Sequence, residues 1–148
     1  MAKLTIIYGT GFGNTGIMAK AIEEGAKSAG IDVIIKKVEE STLADVEKAD
    51  AIAIGSATYR GAAMPSVIKY VESLSKLSLR GKVGTAFGSY GWSGEAAGVI
   101  SKMLKNYGMD VLEPSLRIKR TPEEEGIGTC RELGKILART IKKSEERL

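Results

Sequence analysis

Short apolar runs alternate with longer stretches of helical period, five times along the chain, and no low-complexity linker separates them. The runs Leu4 to Tyr8, Val33 to Ile35, Ala51 to Ile54, Val83 to Phe87 and Val111 to Leu116 predict strands. The first, third and fourth are apolar nearly throughout, as strands covered on both faces must be. Between them, Met18, Ile22, Gly25, Ala26 and Ala29 share one helical face, as do Val67, Val71 and Leu74, and again Ala96, Ile100, Met103 and Leu104. The punctuation agrees. Gly30 and Gly108 follow helices as C-terminal caps, Pro65 suits a first turn, and Thr121-Pro122-Glu123-Glu124 reads as a capping box. Strand-helix alternation with short connections predicts an α/β fold, a three-layer doubly wound sheet of five parallel strands in the order 2-1-3-4-5. At 148 residues, one domain over 1–148 is expected.

Composition narrows the chemistry. With 43% apolar and 27% charged residues the chain is ordinary globular material. It holds no histidine, which removes Ser-His-Asp and Cys-His catalysis, histidine-ligated haem and most zinc or non-haem iron sites. Its one cysteine, Cys130, leaves no iron-sulfur cluster or CxxC couple, and it shares a helical face with Leu133, Leu137 and Ile141, as a buried structural thiol would. No metal site is expected. Any redox chemistry must come from a bound organic cofactor.

The apolar start lacks the features of a signal peptide, and no run approaches the ~20 apolar residues of a membrane span, so a cytoplasmic protein with no membrane partner is expected. The net charge of +4 is concentrated late: residues 117 to 148 hold nine Lys/Arg against six Asp/Glu. Those cations alternate with Glu along a helical pattern, which is a solvated face and not a nucleic-acid surface.

In a doubly wound sheet, ligands bind at the carboxyl ends of the strands beside the point where the strand order reverses. The loops there are Gly9 to Thr15, Ser56 to Pro65 and Gly88 to Gly94. Six of the eight aromatics (Tyr8, Phe12, Tyr59, Phe87, Tyr90, Trp92) lie in them or just before them. Thr10-Gly11-Phe12-Gly13-Asn14-Thr15 closes the first strand and opens the first helix, where converging N–H groups and the helix dipole favour a phosphate. It is no Walker A loop, because Ile17 stands where the lysine belongs. A dinucleotide fingerprint fits Gly9 and Gly11 but meets Asn14 at its third glycine, although Glu39 or Glu40 could mimic its ribose acid. A phospho-acceptor receiver needs acids ending the first and third strands, and Tyr8-Gly9 and Gly55-Ser56 stand there instead.

A cradle of hydroxyls, one amide side chain and backbone N–H groups suits a terminal phosphomonoester held without a cation. TGFGNT resembles the phosphate loop of flavodoxins, of the form T/S-x-x-G-N-T. Gly55-Ser56-Ala57-Thr58-Tyr59-Arg60-Gly61 and Phe87-Gly88-Ser89-Tyr90-Gly91-Trp92-Ser93-Gly94 resemble that family's two flavin-ring loops, most closely those of flavodiiron (A-type) flavoproteins. The resemblance spans essentially the whole chain. It implies FMN as cofactor, with its phosphate at Thr10, Gly11, Phe12, Gly13, Asn14 and Thr15. The ring would lie among Ser56, Ala57, Thr58, Tyr59, Arg60 and Gly61 and Ser89, Tyr90, Gly91, Trp92 and Gly94. Tyr59 and Trp92 can offer flat faces to it, with Tyr90 a third, while Ser56, Thr58 and Ser89 offer hydroxyls to the ribityl chain and pyrimidine edge.

Two positions depart from the family. Ala57 stands where proline is frequent in the flavodiiron relatives. Arg60 stands where many flavodoxins have a glycine whose peptide turns over on reduction, which a side chain makes costlier unless Gly61 takes over. As a cation near the flavin, Arg60 also predicts a less negative potential for the second electron than in acidic flavodoxins. The implied function is an FMN-binding electron carrier with no catalytic side chain, working between redox protein partners, as a monomer or weak homodimer. The alternative is a small NAD(P)H-dependent flavin or quinone reductase. The basic C-terminal third points to acidic docking surfaces on the partners.

Overall fold

In the computed structural model of the chain, the described residues are 2–11 and 13–146. The first strand, β1 (Lys3–Gly9), leads into α1 (Asn14–Ser28), β2 (Asp32–Lys37), a short α2 (Leu43–Glu47) and β3 (Ala51–Tyr59). A two-residue strand, β4 (Ala62–Ala63), precedes α3 (Pro65–Ser73), β5 (Val83–Tyr90) and α4 (Glu95–Asn106). Two short strands, β6 (Asp110–Val111) and β7 (Leu116–Lys119), lead to α5 (Glu124–Glu146). The parallel order β2-β1-β3-β5, extended by β6 and β7 along the far edge of β5, is the doubly wound arrangement expected.

Three local features differ from the sequence reading. The fifth strand is not continuous from Val111 to Leu116. Pro114, which has no N–H to give a ladder, lies in the break, and pairing resumes at Leu116 opposite Phe87. The sheet is also not wholly parallel, because β4 folds back antiparallel on β3. Finally, α5 begins at Glu124, and Ile127 N–H bonds the Glu123 carbonyl at 2.8 Å, so the helix starts later than a box capped by Thr121 would place it. Pro65 does open α3, and Gly30 and Gly108 do follow α1 and α4, each with φ of 85°.

Alternate residues of β1 and β3 feed two cores. Leu4, Ile6 and Ala53 pack with Met18, Ile22, Cys130, Leu137 and Ile141 of α1 and α5. Ile7, Ile52 and Ile54 pack with Val67, Val71, Ile100 and Leu104 of α3 and α4. The first of these layers is set by glycines: a Cβ on Gly25 would lie 1.9 Å from the Arg131 carbonyl oxygen, and one on Gly134 would lie 2.1 Å from that of Ile22. No residue but glycine allows α1 and α5 this separation. Cys130 sits in that layer, and burial pushes its thiol up to about 11.

Candidate functional site

Register brings the three loops together. Gly9 pairs with Ser56, Ser56 with Gly88 and Gly88 with Arg117, so a row of three small residues crosses the middle of the sheet at its carboxyl edge. The smallness is required there. A Cβ on Gly88 would lie 2.5 Å from the Ser56 carbonyl oxygen, and one on Gly9 would lie 2.6 Å from Val67.

The first turn is held from inside. Thr10 Oγ1 accepts the Gly13 N–H at 2.9 Å, Gly13 takes φ of 89°, and α1 begins at Asn14 with no side chain capping it. Its first N–H groups are therefore left to an external acceptor. Thr15 is fully buried and its hydroxyl lies 2.7 Å from that of Ser89, itself 4% exposed. That contact joins the first turn to the third loop. Tyr59, from the second loop, closes over the same turn, with its hydroxyl 2.7 Å from where a Gly11 Cβ would stand. Asn14 is half-buried, and Phe12 lies outside the described residues. Among the described residues of the turn there is no cationic side chain, although Lys20, Lys37 and Arg131 line a groove of about 460 Å³ beside Thr10 and Gly13.

The second loop is a hairpin that sequence reading missed. Tyr59 pairs with Ala62 across Arg60 and Gly61, whose φ values of 48° and 76° are those of a two-residue type I′ turn. The signal was a glycine in the second turn position, obscured because Arg stands where Asn or Asp is usual. Both residues already have positive φ. Two hydroxyls expected to face a ligand also make bonds within the protein. Ser56 accepts the Met64 N–H at 3.0 Å and donates to the Ala57 carbonyl at 2.8 Å. Thr58 Oγ1 accepts the Ala96 N–H at 3.1 Å and so caps α4, whose own preceding residue, Gly94, makes no side-chain cap. Ala57 is half-buried, and Gly61 lies beside the Glu95 carboxylate.

In the third loop the aromatics part company. Tyr90 turns back onto Gly94, where a Cβ would come within 3.0 Å of its ring, and its carbonyl accepts the Arg120 N–H at 2.6 Å. Gly91 is exposed. Trp92 is 94% exposed and Tyr59 46% exposed, so the two faces expected against a ring stand open at the rim. A tryptophan in that state buries almost none of its apolar surface within its own chain.

The site can thus offer uncapped N–H donors and hydroxyls to an anion and open aromatic faces to a planar group. It fits FMN in donor chemistry and in the glycine clearance at its mouth. Among the described residues no group of three His, Cys, Asp or Glu is placed to hold a metal ion, and no helix is long and apolar enough to cross a membrane.

The Flavodoxin family pattern matches residues 6–134. The chain is 36% identical over 140 residues to a Type A flavoprotein of Rhodobacter capsulatus, covering 91% of this chain and 32% of that protein. It is 32% identical over 143 residues to an anaerobic nitric oxide reductase flavorubredoxin of Escherichia coli, covering 93% and 30%. It therefore spans about a third of the length of these curated relatives. Among solved structures, a flavodoxin from the domain Archaea superposes with a TM-score of 0.92 at 36% identity over 95% of this chain and 99% of that one. The flavodiiron protein of Giardia intestinalis gives 0.92 at 27% over 98% and 37%. The chain belongs to the flavodoxin family, whose cofactor is FMN.

Proposed function

We propose that the chain is a single FMN domain that carries electrons between redox proteins in the cytoplasm, as a monomer or weak homodimer. Bound FMN would supply the redox chemistry, taking up and giving back one or two electrons. The protein's part is to grip, orient and expose. The N–H groups opening α1, with Thr10, Asn14 and Thr15, would hold the phosphate, and Tyr59 and Trp92 would flank the ring.

The buried hydroxyl pair has a directional consequence. Each hydroxyl has one proton to donate, and a phosphate offers only acceptors at neutral pH. For Thr15 to donate to the phosphate, Ser89 must donate to Thr15 across their 2.7 Å contact. Ser89 would thereby orient a phosphate donor through their shared hydrogen bond.

The observation that carries this reading is the open pair, Trp92 at 94% and Tyr59 at 46% exposure, beside a helix start that no side chain caps. Exposed aromatics at the rim would hold the ring near the surface, where a docked protein can reach it. The Type A flavoprotein and flavorubredoxin relatives support a redox role in company with another redox module.

The test is a visible spectrum of the purified protein, followed by reconstitution of the stripped protein with FMN or riboflavin. Bands of bound flavin, and FMN bound at least tenfold more tightly than riboflavin, are expected. Equal affinities would overturn the assignment of the phosphate turn. Stopped-flow mixing of the loaded protein with NADPH should leave it oxidised on the second timescale, and rapid bleaching would favour the reductase instead.

A further inference from the structure

The described residues contain two non-glycine residues with positive φ, Arg60 at 48° and Arg120 at 63°. Left-handed backbone is unfavourable for a long side chain, and such residues persist where the surrounding structure imposes them, often at functional sites. Both are arginines, and both border the loop that carries Trp92. Arg60 tips the β3–β4 hairpin, whose next residue, Gly61, lies against Glu95 at the start of α4. Arg120 immediately follows β7, with its N–H on the Tyr90 carbonyl.

Two further cations join them. Arg117 and Lys119 are exposed along β7, alternating with half-buried Leu116 and Ile118. Arg117 lies across the first turns of α4, where Cβ atoms on Gly94 and Gly98 would come 3.3 Å and 2.7 Å from its side chain. The Trp92 loop is therefore bounded by Arg60 on the hairpin side and by Arg117 and Arg120 on the β7 side. None of the four cations forms an ion pair among the described residues. The nearby carboxylates are Glu95 in the first turn of α4, Glu123, Glu124 and Glu125 at the start of α5, and Glu113 and Glu132, which share a groove with Arg117. The first four sit at helix N-termini, whose positive ends offset part of their charge, and Glu113 and Glu132 are paired with Lys105 and Arg139. The surface thus surrounds the tryptophan that would flank the flavin with cations that form no ion pair among the described residues, and Trp and Arg are the residue types that dominate binding hot spots.

We propose that this rim, Trp92 ringed by Arg60, Arg117, Lys119 and Arg120, is the docking surface for an acidic redox protein. The proposal rests on the electron-carrier reading and names the partner's chemistry at that site. Complementary charge raises the encounter rate and orients the partner, and added salt weakens both effects.

The test uses the FMN-loaded protein, reduced, mixed by stopped flow with an acidic rubredoxin and, separately, with a basic cytochrome c. Association is measured in parallel, without electron transfer, from the anisotropy of fluorescently labelled rubredoxin and of a labelled single-stranded oligonucleotide. Lys119→Glu and Arg120→Asn change side chains that lie outside the three flavin loops, the backbone N–H of residue 120 on the Tyr90 carbonyl is kept, and Asn tolerates positive φ. Lys48→Glu, beside the amino end of β3 at the opposite edge of the sheet, is the control.

Transfer to rubredoxin is expected to fall about tenfold or more between 20 and 500 mM salt, within the range of electrostatic steering. The two rim variants together should lower the low-salt rate and affinity by a similar factor and flatten the salt dependence, with the control unchanged. Salt-independent association, equal effects of rim and control variants, a faster reaction with cytochrome c, or tighter binding of the oligonucleotide would each overturn the proposal. Failure to bind FMN would sink the carrier reading alone, because anisotropy reports docking without it.

Discussion

The buried contact between Thr15 and Ser89 makes a quantitative prediction. Thr15→Val keeps the shape and the β-branch and has similar helix propensity, so the change isolates the hydroxyl. It leaves the Ser89 hydroxyl, 4% exposed, without the partner it has at 2.7 Å. An unsatisfied buried hydroxyl costs about 1–3 kcal/mol. In a domain of this size each kcal/mol lowers Tm by roughly 2–4 °C, so a shift of about 4–8 °C is expected for a central value of 2 kcal/mol. Ser89→Ala strands Thr15 in the same way. The double variant strands neither, so its cost should fall short of the sum of the two by about 1 kcal/mol or more. Denaturant unfolding of the FMN-free protein measures all three, which avoids stabilisation by the ligand. With FMN present, Thr15→Val also removes a donor to a charged acceptor and should weaken binding by about tenfold or more. If the two costs add to within about 0.5 kcal/mol, the hydroxyls are not energetically coupled and the orienting role of Ser89 fails.

Other consequences follow from the same geometry. Gly134→Ala and Gly128→Ala change the same helix in opposite directions. The first drives a Cβ to 2.1 Å from a backbone oxygen of α1 and should lower stability by about 1–3 kcal/mol, whereas the second meets nothing within 4 Å and should raise it by up to about 1 kcal/mol. Thermal unfolding of both variants checks the pair. The Cys130 thiol, raised by burial to about 11, should resist a disulfide reagent at pH 8 in the native protein and react promptly in urea. At Asp45 burial opposes ionisation, but the Thr42 N–H at 2.9 Å and the Lys36 ammonium at 3.0 Å outweigh it, and its carboxyl is held below the usual range. Its contribution is therefore complete above the unfolded value of about 4 and is lost as pH falls through the lower folded value. Unfolding at pH 2 to 5 should show Asp45→Asn flattening that limb. Arg60→Glu should shift the midpoint potential of the bound flavin to more negative values, and a redox titration showing no shift would remove the cation from the account.

Much of this protein was legible in its residues because the signals were local. Apolar runs such as Leu4 to Tyr8 declare strands covered on both faces, and the glycine-rich stretches that follow mark the loops in which the candidate site lies. Gly30, Gly108 and Pro65 mark helix ends by their own backbone preferences. What stayed hidden depends on partners distant in sequence. Ser89 meets Thr15 across 74 positions, and Thr58 caps a helix 38 residues on, so neither hydroxyl's partner can be inferred from its neighbours. The hairpin at Arg60 and Gly61 escaped notice because tertiary pairing overrides the reluctance of arginine to adopt positive φ. The break before β7 falls at Pro114 and separates two segments that pair with different parts of the same strand. Periodicity and residue type thus determined the layers and the three loops, because each element's preference is written in its own sequence. Only the tertiary structure decided which hydroxyls remain available, which aromatics stay open and which cations gather at the rim, because those outcomes depend on register and packing between segments far apart in the chain.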